Sequence, residues 1–299
     1  MMKQRTRAEF YLFLCTFLWG GTFVVVKGGL AEASPMVFIA VRFAIATVLF
    51  IPLIWVSRRA VNARSLLNGA VLGVLLAVGF IGQTVGLQYT SASKSGFVTG
   101  LLVIFTPIFQ VLIERRAPRP GSVIGILLVL VGLYLLTSPS GSSFNRGDFL
   151  TLICAAIFGV YIVYLDIASN ISDTRVLTWM QFVVTLVIAG AGSLLFEQRR
   201  FNPTTDLILA LLYLSVLATA LTLTLQTRYQ KETTPTRAAV IFSLEPVLAA
   251  IFAYLFRGER IGALGVLGGG IIVGGLLVSE LSDRIFKSAK GEPAAGGGA

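Results

Sequence analysis

The chain of 299 residues is 56% hydrophobic and only 13% charged, with a mean hydropathy of +0.85. Because soluble domains contain about 25% charged residues, this composition excludes a soluble globular protein and indicates an integral membrane protein. The net charge of +10 arises from basic residues in short loops, so it does not indicate binding to nucleic acid. Histidine is absent, and the sequence has no metal-ligand cluster and no carboxylate pair at catalytic spacing. We therefore predict no cofactor, no metal site and no enzymatic activity.

Ten apolar segments follow one another along the chain, and each is long enough for a transmembrane helix, which needs about 20 apolar residues. We number the predicted helices 1 to 10 in chain order, over residues 10–30, 36–56, 65–89, 94–114, 120–138, 147–169, 174–196, 205–229, 235–256 and 260–281. Most connecting loops are short, so neighbouring helices must pack as antiparallel pairs. The predicted fold is an all-α integral membrane protein with ten transmembrane helices.

The sequence repeats itself at an offset of 139, which places Cys15 on Cys154, Phe43 on Phe182 and Pro107 on Pro246. Each repeat contains five predicted helices, and this odd number forces the two copies to cross the membrane in opposite directions. Inverted repeats of this kind are typical of transporters, because a site at their interface can open first to one side and then to the other.

The chain divides into a first repeat at 10–137, a Gly/Ser-rich linker at 138–146, a second repeat at 147–281 and a tail at 282–299. The tail is of low complexity, and we expect it to be disordered. Loops on the N-terminal side of the membrane carry more than twice as many Lys and Arg residues as loops on the other side. The positive-inside rule therefore predicts that both termini and the tail are cytoplasmic.

Helices 1 and 2 contain the first candidate functional residues. Trp19 in helix 1 and Tyr161 in the equivalent helix 6 could stack on a substrate, or could simply pack in the bundle. Arg42 lies within helix 2, where insertion scales assign a charged residue a cost of about 2.5–3.5 kcal/mol. Arg42 either pairs with a carbonyl or an acid and holds helix 2 to the bundle, or contacts the substrate.

Polar side chains form stripes on helices that are otherwise apolar. At about 100° per residue, the polar residues of helix 4 fall within a sector of roughly 60°, and those of helix 8 within about 100°. Such stripes indicate either a wet cavity or ordinary hydrogen bonds between helices. The predicted substrate-path residues, with two from helix 3 and the aromatic pair above, are Trp19, Gln83, Tyr89, Ser95, Thr99, Thr106, Gln110, Tyr161, Thr222, Gln226 and Tyr229.

Helices 4 and 9 begin alike, since residues 90–96 resemble residues 233–239 at an offset of 143. In both, a Ser/Thr cap precedes a cation, Lys94 or Arg237, and small residues. This pattern predicts an anion-attracting spot at each helix N-terminus, or else capping with a cation that reaches the membrane interface. In an inverted repeat, Lys94 and Arg237 lie at opposite membrane surfaces.

Pro107 and Pro246 lie mid-helix in helices 4 and 9, and each removes a backbone hydrogen bond. We interpret them as candidate hinges. Glu245 is the one acidic residue deep in helix 9, and a buried carboxylate tends to be protonated unless it is paired. It is therefore a candidate for proton coupling, with a fixed pair to an Arg as the competing interpretation.

Helix 10 contains glycines at small-xxx-small spacing, Gly265 with Gly269 and Gly270 with Gly274. In lipid, this spacing lets two helices approach closely. The glycines indicate either packing within the bundle or a homodimer interface.

Five short motifs occur along the chain at the helix starts and within helices 1 and 2: Phe17-Leu-Trp-Gly-Gly-Thr-Phe23, Pro35 with Phe38 and Arg42-Phe43, Leu87-Gln-Tyr-Thr-Ser-Ala-Ser-Lys94, Thr236-Arg-Ala-Ala-Val-Ile-Phe-Ser-Leu-Glu-Pro246 and Gly258-Glu259. Together these motifs resemble a known family, the EamA-domain type of the drug/metabolite transporter (DMT) superfamily, in its ten-helix form. The first half departs from the family pattern at Arg119-Pro120, where the family often keeps an acidic residue.

The resemblance implies two EamA-like five-helix repeats around a cavity lined by helices 1, 3, 4, 6, 8 and 9. It also implies a carrier in a bacterial inner membrane that moves small metabolites by alternating access, often by efflux of amino acids or related compounds. Sugars, nucleosides or drug-like compounds remain alternative substrates, and a non-coupled channel is an alternative function. The expected partners are the small-molecule substrate and the lipid bilayer.

Overall fold

The computed structural model describes residues 2–115, 118, 120–137, 144–257 and 262–289. Within these residues the chain is helical apart from short connections and one isolated bridge between Ala33 and Phe201, so the all-α prediction is confirmed. Residues 138–143 of the predicted linker, residues 290–299 of the tail, Arg119 and the Gly258-Glu259 motif lie outside the described residues.

The described residues form the ten predicted helices, four of which are interrupted. The uninterrupted helices are helix 2 (Pro35–Val56), helix 3 (Ala63–Tyr89), helix 5 (Pro120–Thr137), helix 6 (Arg146–Ile171), helix 7 (Thr174–Phe196) and helix 10 (Ala263–Ala289). The interrupted helices are helix 1 (Met2–Trp19, Thr22–Gly29), helix 4 (Ala92–Gly100, Leu102–Glu114), helix 8 (Thr205–Leu212, Tyr213–Leu221, Thr222–Tyr229) and helix 9 (Pro235–Phe242, Glu245–Arg257). Eight of the ten are long and apolar enough to span a membrane, and helices 5 and 10 contain shorter apolar stretches.

Local sequence explains where several helices begin. Asn62 caps helix 3 and Asp173 caps helix 7, each through a side-chain oxygen that accepts a backbone N–H of the first turn. Asn145 forms a reciprocal capping box with Asp148 at the start of helix 6. Helix 10 continues past the predicted boundary at residue 281 and ends at Ala289.

The two repeats are interleaved, because most helices pack against helices of the other repeat. Helices 3 and 4 of the first repeat both contact helix 6 of the second repeat. Their equivalents, helices 8 and 9, both contact helix 1 of the first repeat. Helix 2 lies against helix 7, and helix 5 against helix 10. This pattern is that of two inverted five-helix repeats related by a pseudo-two-fold axis.

Glycines bring helices 5 and 10 into backbone contact. A methyl group at Gly268 would lie 2.6 Å from the Gly132 carbonyl oxygen, and one at Gly275 would lie 2.8 Å from the Gly125 carbonyl oxygen. Gly268 and Gly275 of helix 10 therefore serve packing within the chain. A methyl group at Gly270 would meet nothing within 4 Å. The predicted homodimer interface gains no support from this arrangement.

Candidate substrate cavity

A cavity lies between the two repeats near the middle of the bundle. Its empty volume is about 760 Å³, including its opening to solvent, which is within the range of small-molecule sites. Helices 1, 2, 3, 4, 6, 8 and 9 line it. Seven of the residues singled out in the sequence are part of this lining: Trp19, Arg42, Gln83, Thr99, Tyr161, Gln226 and Glu245.

Arg42 both lines the cavity and holds helix 2 to helix 8. Its Nε donates to the Thr219 hydroxyl at 2.6 Å, and its Nη2 donates to the Ala218 carbonyl oxygen at 3.0 Å. The guanidinium also lies 4.8 Å from the centre of the Phe80 ring, a cation–π contact. These contacts compensate a cation that is only 4% exposed.

The central part of helix 8, Tyr213–Leu221, is a π-helix. Wider backbone hydrogen bonding of this kind often occurs at functional sites. Here the Ala218 carbonyl accepts two side-chain donors, Arg42 and the Trp19 indole nitrogen at 3.1 Å. Trp19 also donates to the Thr222 hydroxyl at 3.1 Å. The irregular segment therefore anchors the main cation and an aromatic wall of the cavity.

Glu245 enters the cavity where helix 9 is interrupted. It is the first residue of the second half of that helix, directly after Ser243 and Leu244. It lines the same cavity as Arg42, yet none of the ion pairs among the described residues joins the two. The cavity thus contains one basic and one acidic side chain that are not paired with each other.

Two glutamines that are related by the offset of 143, Gln83 and Gln226, add neutral polar groups to the cavity. Gln83 donates to the Thr99 hydroxyl at 3.2 Å, across helices 3 and 4. Gln226 donates to Gln230 at 3.0 Å, and its own amide oxygen is buried without a protein partner. A buried acceptor without a partner is costly, so a donor on a bound molecule would be favoured there.

Other residues of the predicted path lie outside the lining. On helix 4, Ser95, Thr106 and Gln110 are buried. Thr106 donates to a carbonyl of its own helix, and Gln110 accepts from Thr236 of helix 9 at 2.6 Å. Within the helix 4 stripe, Thr99 alone lines the cavity. Thr106 bonds within its own helix, and Gln110 makes the hydrogen bond between helices that was the alternative interpretation.

Of the tyrosines in the predicted path, one lines the cavity and two lie outside it. The Tyr161 ring lines the cavity, while its hydroxyl donates to Gln181 at 2.6 Å. Tyr89 and Tyr229 lie at the ends of helices 3 and 8. The Arg146 guanidinium lies 3.7 Å from the centre of the Tyr89 ring, and Tyr229 stacks on Tyr11.

The candidate hinge prolines both follow interruptions. Helix 4 is interrupted at Leu101 and helix 9 at Ser243-Leu244, positions that match at the offset of 143. Pro246 is the second residue after its interruption, where a missing N–H leaves no bond unmade, whereas Pro107 lies within Leu102–Glu114.

Two acids that were not among the predicted site residues contact the predicted cations. Lys94 pairs with Asp148 at 2.6 Å, and Arg237 pairs with Glu9 at 3.0 Å. The offset of 139 that relates helices 1 and 6 places Glu9 on Asp148, so the repeat itself contained the signal. Among the described residues, no group of three His, Cys, Asp or Glu side chains could hold a metal ion.

The interleaved repeats and the largely apolar cavity between them, with its few charged and amide side chains, are those of a multi-pass membrane transporter of the inverted-repeat class. The model of the EamA-like transporter family matches residues 6–138 and again residues 145–281. The chain belongs to this family, which is part of the DMT superfamily.

Individual relatives agree with this assignment. The chain is 34% identical over 279 residues to an "Uncharacterized transporter" of Archaeoglobus fulgidus, covering 93% of this chain and 87% of the relative. It is 24% identical to the "Uncharacterized inner membrane transporter YedA" of Escherichia coli K12, over 92% and 91% of the two chains. A solved crystal structure with 20% identity matches 95% of this chain and 99% of its own, with a TM-score of 0.80, and so shares the fold.

Proposed function

We propose that this chain is a secondary carrier that exports amino acids or related zwitterionic metabolites across the inner membrane by alternating access. The observation that supports this proposal is the joint presence of Arg42 and Glu245 in one cavity without a direct ion pair. The family and the YedA-like relative support the inner membrane and the carrier class.

A free amino acid matches the charges of the cavity. Its carboxylate suits the Arg42 guanidinium, which offers several donors in a planar arrangement. Its ammonium suits Glu245, and its further donors suit the unpartnered amide oxygen of Gln226. An amino acid thus supplies partners to side chains of opposite charge that the protein leaves apart.

The remaining walls are apolar and aromatic. Phe23, Phe80, Phe158 and Phe242 line the cavity together with Trp19. A pocket of this kind favours apolar or aromatic side chains, because burial of apolar surface contributes about 25 cal/mol per Å². Within the proposed class, we expect larger apolar amino acids to be preferred over small polar ones.

The remaining predicted residues take places along the proposed transport path. We place Ser95 and Thr106 of helix 4 and Thr222 of helix 8 along this path, beyond the cavity lining, with Tyr89 and Tyr229 towards its two ends. Helices 4 and 9 are the proposed moving elements, with Pro107 and Pro246 beside their interruptions.

The test is counterflow in proteoliposomes with a labelled amino-acid mixture, with and without a pH gradient. Saturable uptake that an unlabelled amino acid on the other side accelerates would support a carrier and exclude a simple channel. If uptake does not exceed that of empty vesicles, amino acids are not the substrate, and the same vesicles are screened with sugars, nucleosides and drug-like compounds.

Replacement of Arg42 tests the charge argument. We expect Arg42→Gln to lower the counterflow rate at least tenfold, because a lost charged contact of about 1.4 kcal/mol changes an equilibrium by that factor. Arg59→Gln, at an exposed position between helices 2 and 3, is the matched control and should transport normally. Equal rates for both purified, monodisperse variants would remove Arg42 from substrate binding.

A further inference from the structure

Two clusters of charged and hydroxyl side chains lie away from the cavity. In the Asp148 cluster, the carboxylate pairs with Lys94 at 2.6 Å and accepts from the Thr90 hydroxyl at 2.7 Å. In the Glu9 cluster, the carboxylate pairs with Arg237 at 3.0 Å and accepts from the Thr233 hydroxyl at 3.5 Å.

The acid, the hydroxyl and the cation of the two clusters are equivalent under the internal repeat, whereas Arg5, which also pairs with Glu9 at 2.8 Å, has no counterpart at Asp148. The offset of 139 places Glu9 on Asp148, and the offset of 143 places both Thr90 on Thr233 and Lys94 on Arg237. Acid, hydroxyl and cation therefore recur with the same contacts. Ion pairs formed by chance do not reproduce a three-part arrangement at both copies of a repeat. Both pairs are largely buried, with no side chain more than 17% exposed, so breaking either one is costly.

The clusters lie at opposite ends of the bundle. Lys27, at the end of helix 1, donates to the Thr90 carbonyl of the Asp148 cluster at 2.8 Å, whereas Glu9 lies near the start of the same helix. At about 1.5 Å per residue, the two positions are on the order of 27 Å apart along helix 1. The cavity, with Trp19 in its lining, lies between them.

Each cluster joins one repeat to the other. Lys94 and Thr90 belong to the first repeat and Asp148 to the second, while Glu9 belongs to the first and Arg237 to the second. Each cation is on the short first half of an interrupted helix, Ala92–Gly100 or Pro235–Phe242. These ion pairs therefore connect short half-helices, next to an interruption, to a long helix of the opposite repeat.

From this geometry we infer that the Asp148 cluster and the Glu9 cluster are the two gates of the carrier, closing opposite ends of the cavity. Opening one end breaks its ion pair while the half-helix swings about its interruption, and the other pair stays closed. The inference rests on the proposed carrier function, because alternating access requires two closures that open in turn.

The native cysteines provide a reporter for each gate. Cys15 and Cys154 are both free and buried. Each lies six residues along its helix from its cluster acid, Glu9 or Asp148, and four residues before a cavity-lining residue, Trp19 or Phe158. Each thiol is therefore at the depth between one gate and the cavity, and an open gate gives it access to water from one side.

The experiment measures labelling of a single native cysteine by a membrane-impermeant maleimide, in right-side-out and in inverted vesicles. In a Cys15→Ser background, Asp148→Asn should raise the labelling rate of Cys154 about tenfold, and from one side only. In a Cys154→Ser background, Glu9→Gln should raise the labelling of Cys15 about tenfold, from the opposite side. Asn and Gln keep an acceptor for the Thr90 and Thr233 hydroxyls, so the change removes charge with little loss of volume.

Conservative variants separate gating from general loosening. Lys94→Arg and Arg237→Lys keep each ion pair and should label as slowly as the parent, whereas Lys94→Met and Arg237→Met should reproduce the effect of the acid variants. Glu32→Gln is the matched acid control and should change nothing, because Glu32 lies on a half-buried turn, and Gln can still accept the one side-chain hydrogen bond that Asn202 donates there at 3.3 Å.

Unchanged labelling in the acid and Met variants would overturn the inference, as would an equal rise at both cysteines or from both sides. The readout needs no substrate and no transport. A chain without amino-acid counterflow can thus still show side-specific labelling, and an active carrier can fail to show it, so failure of the gates and failure of the proposed function are distinguishable.

Discussion

Arg42 combines structural contacts with a position in the wall of the cavity. A cation within a transmembrane helix costs about 2.5–3.5 kcal/mol on insertion scales. The contacts to Thr219, Ala218 and Phe80 compensate that cost, and they leave the guanidinium in the wall of the cavity. The two sequence-based interpretations of Arg42 therefore describe the same position.

Glu245 is the residue at which proton coupling is most simply tested. In the proposed carrier it gains or loses a proton as the cavity changes sides, so Glu245→Gln should abolish the acceleration of uptake by a pH gradient. Counterflow without a gradient should persist at a reduced rate: exchange of labelled for unlabelled substrate needs no net proton movement, but the substrate ammonium loses its charged partner. Retention of full gradient-driven accumulation by the variant, alongside a normal Glu32→Gln control, would exclude Glu245 as the coupling site.

The cluster acids show which contacts between residues can be predicted from a single sequence and which cannot. Lys94 and Arg237 were predictable from the matching starts of helices 4 and 9, and the offset of 139 could have supplied Glu9 and Asp148 as partners. The contact of Arg42 with Ala218 could not be predicted, because a backbone carbonyl has no sequence signature. Its availability depends on the π-helical hydrogen bonding of Tyr213–Leu221.

At the scale of elements, helices 5 and 10 behave differently from the rest. None of their described residues lines the cavity, and their contact is made between backbones at Gly132 with Gly268 and Gly125 with Gly275. Contacts of this kind depend on close van der Waals packing, because lipid provides no hydrophobic driving force between helices. Helices 5 and 10 therefore form a scaffold whose stability depends on glycine, which has no side chain, at the contact positions.

Two glycines of helix 10 test this role. Gly268→Ala should lower the free energy of unfolding by about 1–3 kcal/mol, since its methyl group would overlap backbone atoms of helix 5. Gly270→Ala is the matched control: it meets open space and removes the conformational cost of a helical glycine, so it should be neutral or stabilising by up to about 1 kcal/mol. Thermal unfolding in detergent measures both, and equal melting temperatures would contradict the backbone contact.

Helix spans were largely predictable, whereas helix irregularities were not. Helix 7 occupies the predicted residues 174–196, because membrane length and apolar composition determine it. Gly100 precedes the interruption at Leu101, and Pro246 follows the one at Ser243-Leu244. Helix 2 is uninterrupted although it contains Pro52, so glycine and proline alone do not locate the interruptions. The polar stripe of helix 4 was derived for an unbroken helix, which explains why only Thr99 of its members reaches the cavity.

At the scale of the whole molecule, the orientation in the membrane is a prediction from charge. The excess of Lys and Arg on the N-terminal side predicts that both termini are cytoplasmic. A green fluorescent protein fused after Ala299 should fluoresce, and alkaline phosphatase fused after Thr137 should be active. The opposite pair of results would place the Glu9 cluster at the outer surface and reverse the assignment of the two gates.

The interleaving of the repeats also determines when the structure can be completed. Arg42 is synthesised well before its partners Ala218 and Thr219, and helix 5 is synthesised well before the glycines of helix 10 that it contacts. At about 5–20 residues per second, this interval is on the order of ten seconds. During it, the first five helices are in the bilayer with a charged side chain and a glycine face still lacking their partners. Folding of this chain is therefore an assembly that follows insertion, and neither half of the gene encodes a finished domain.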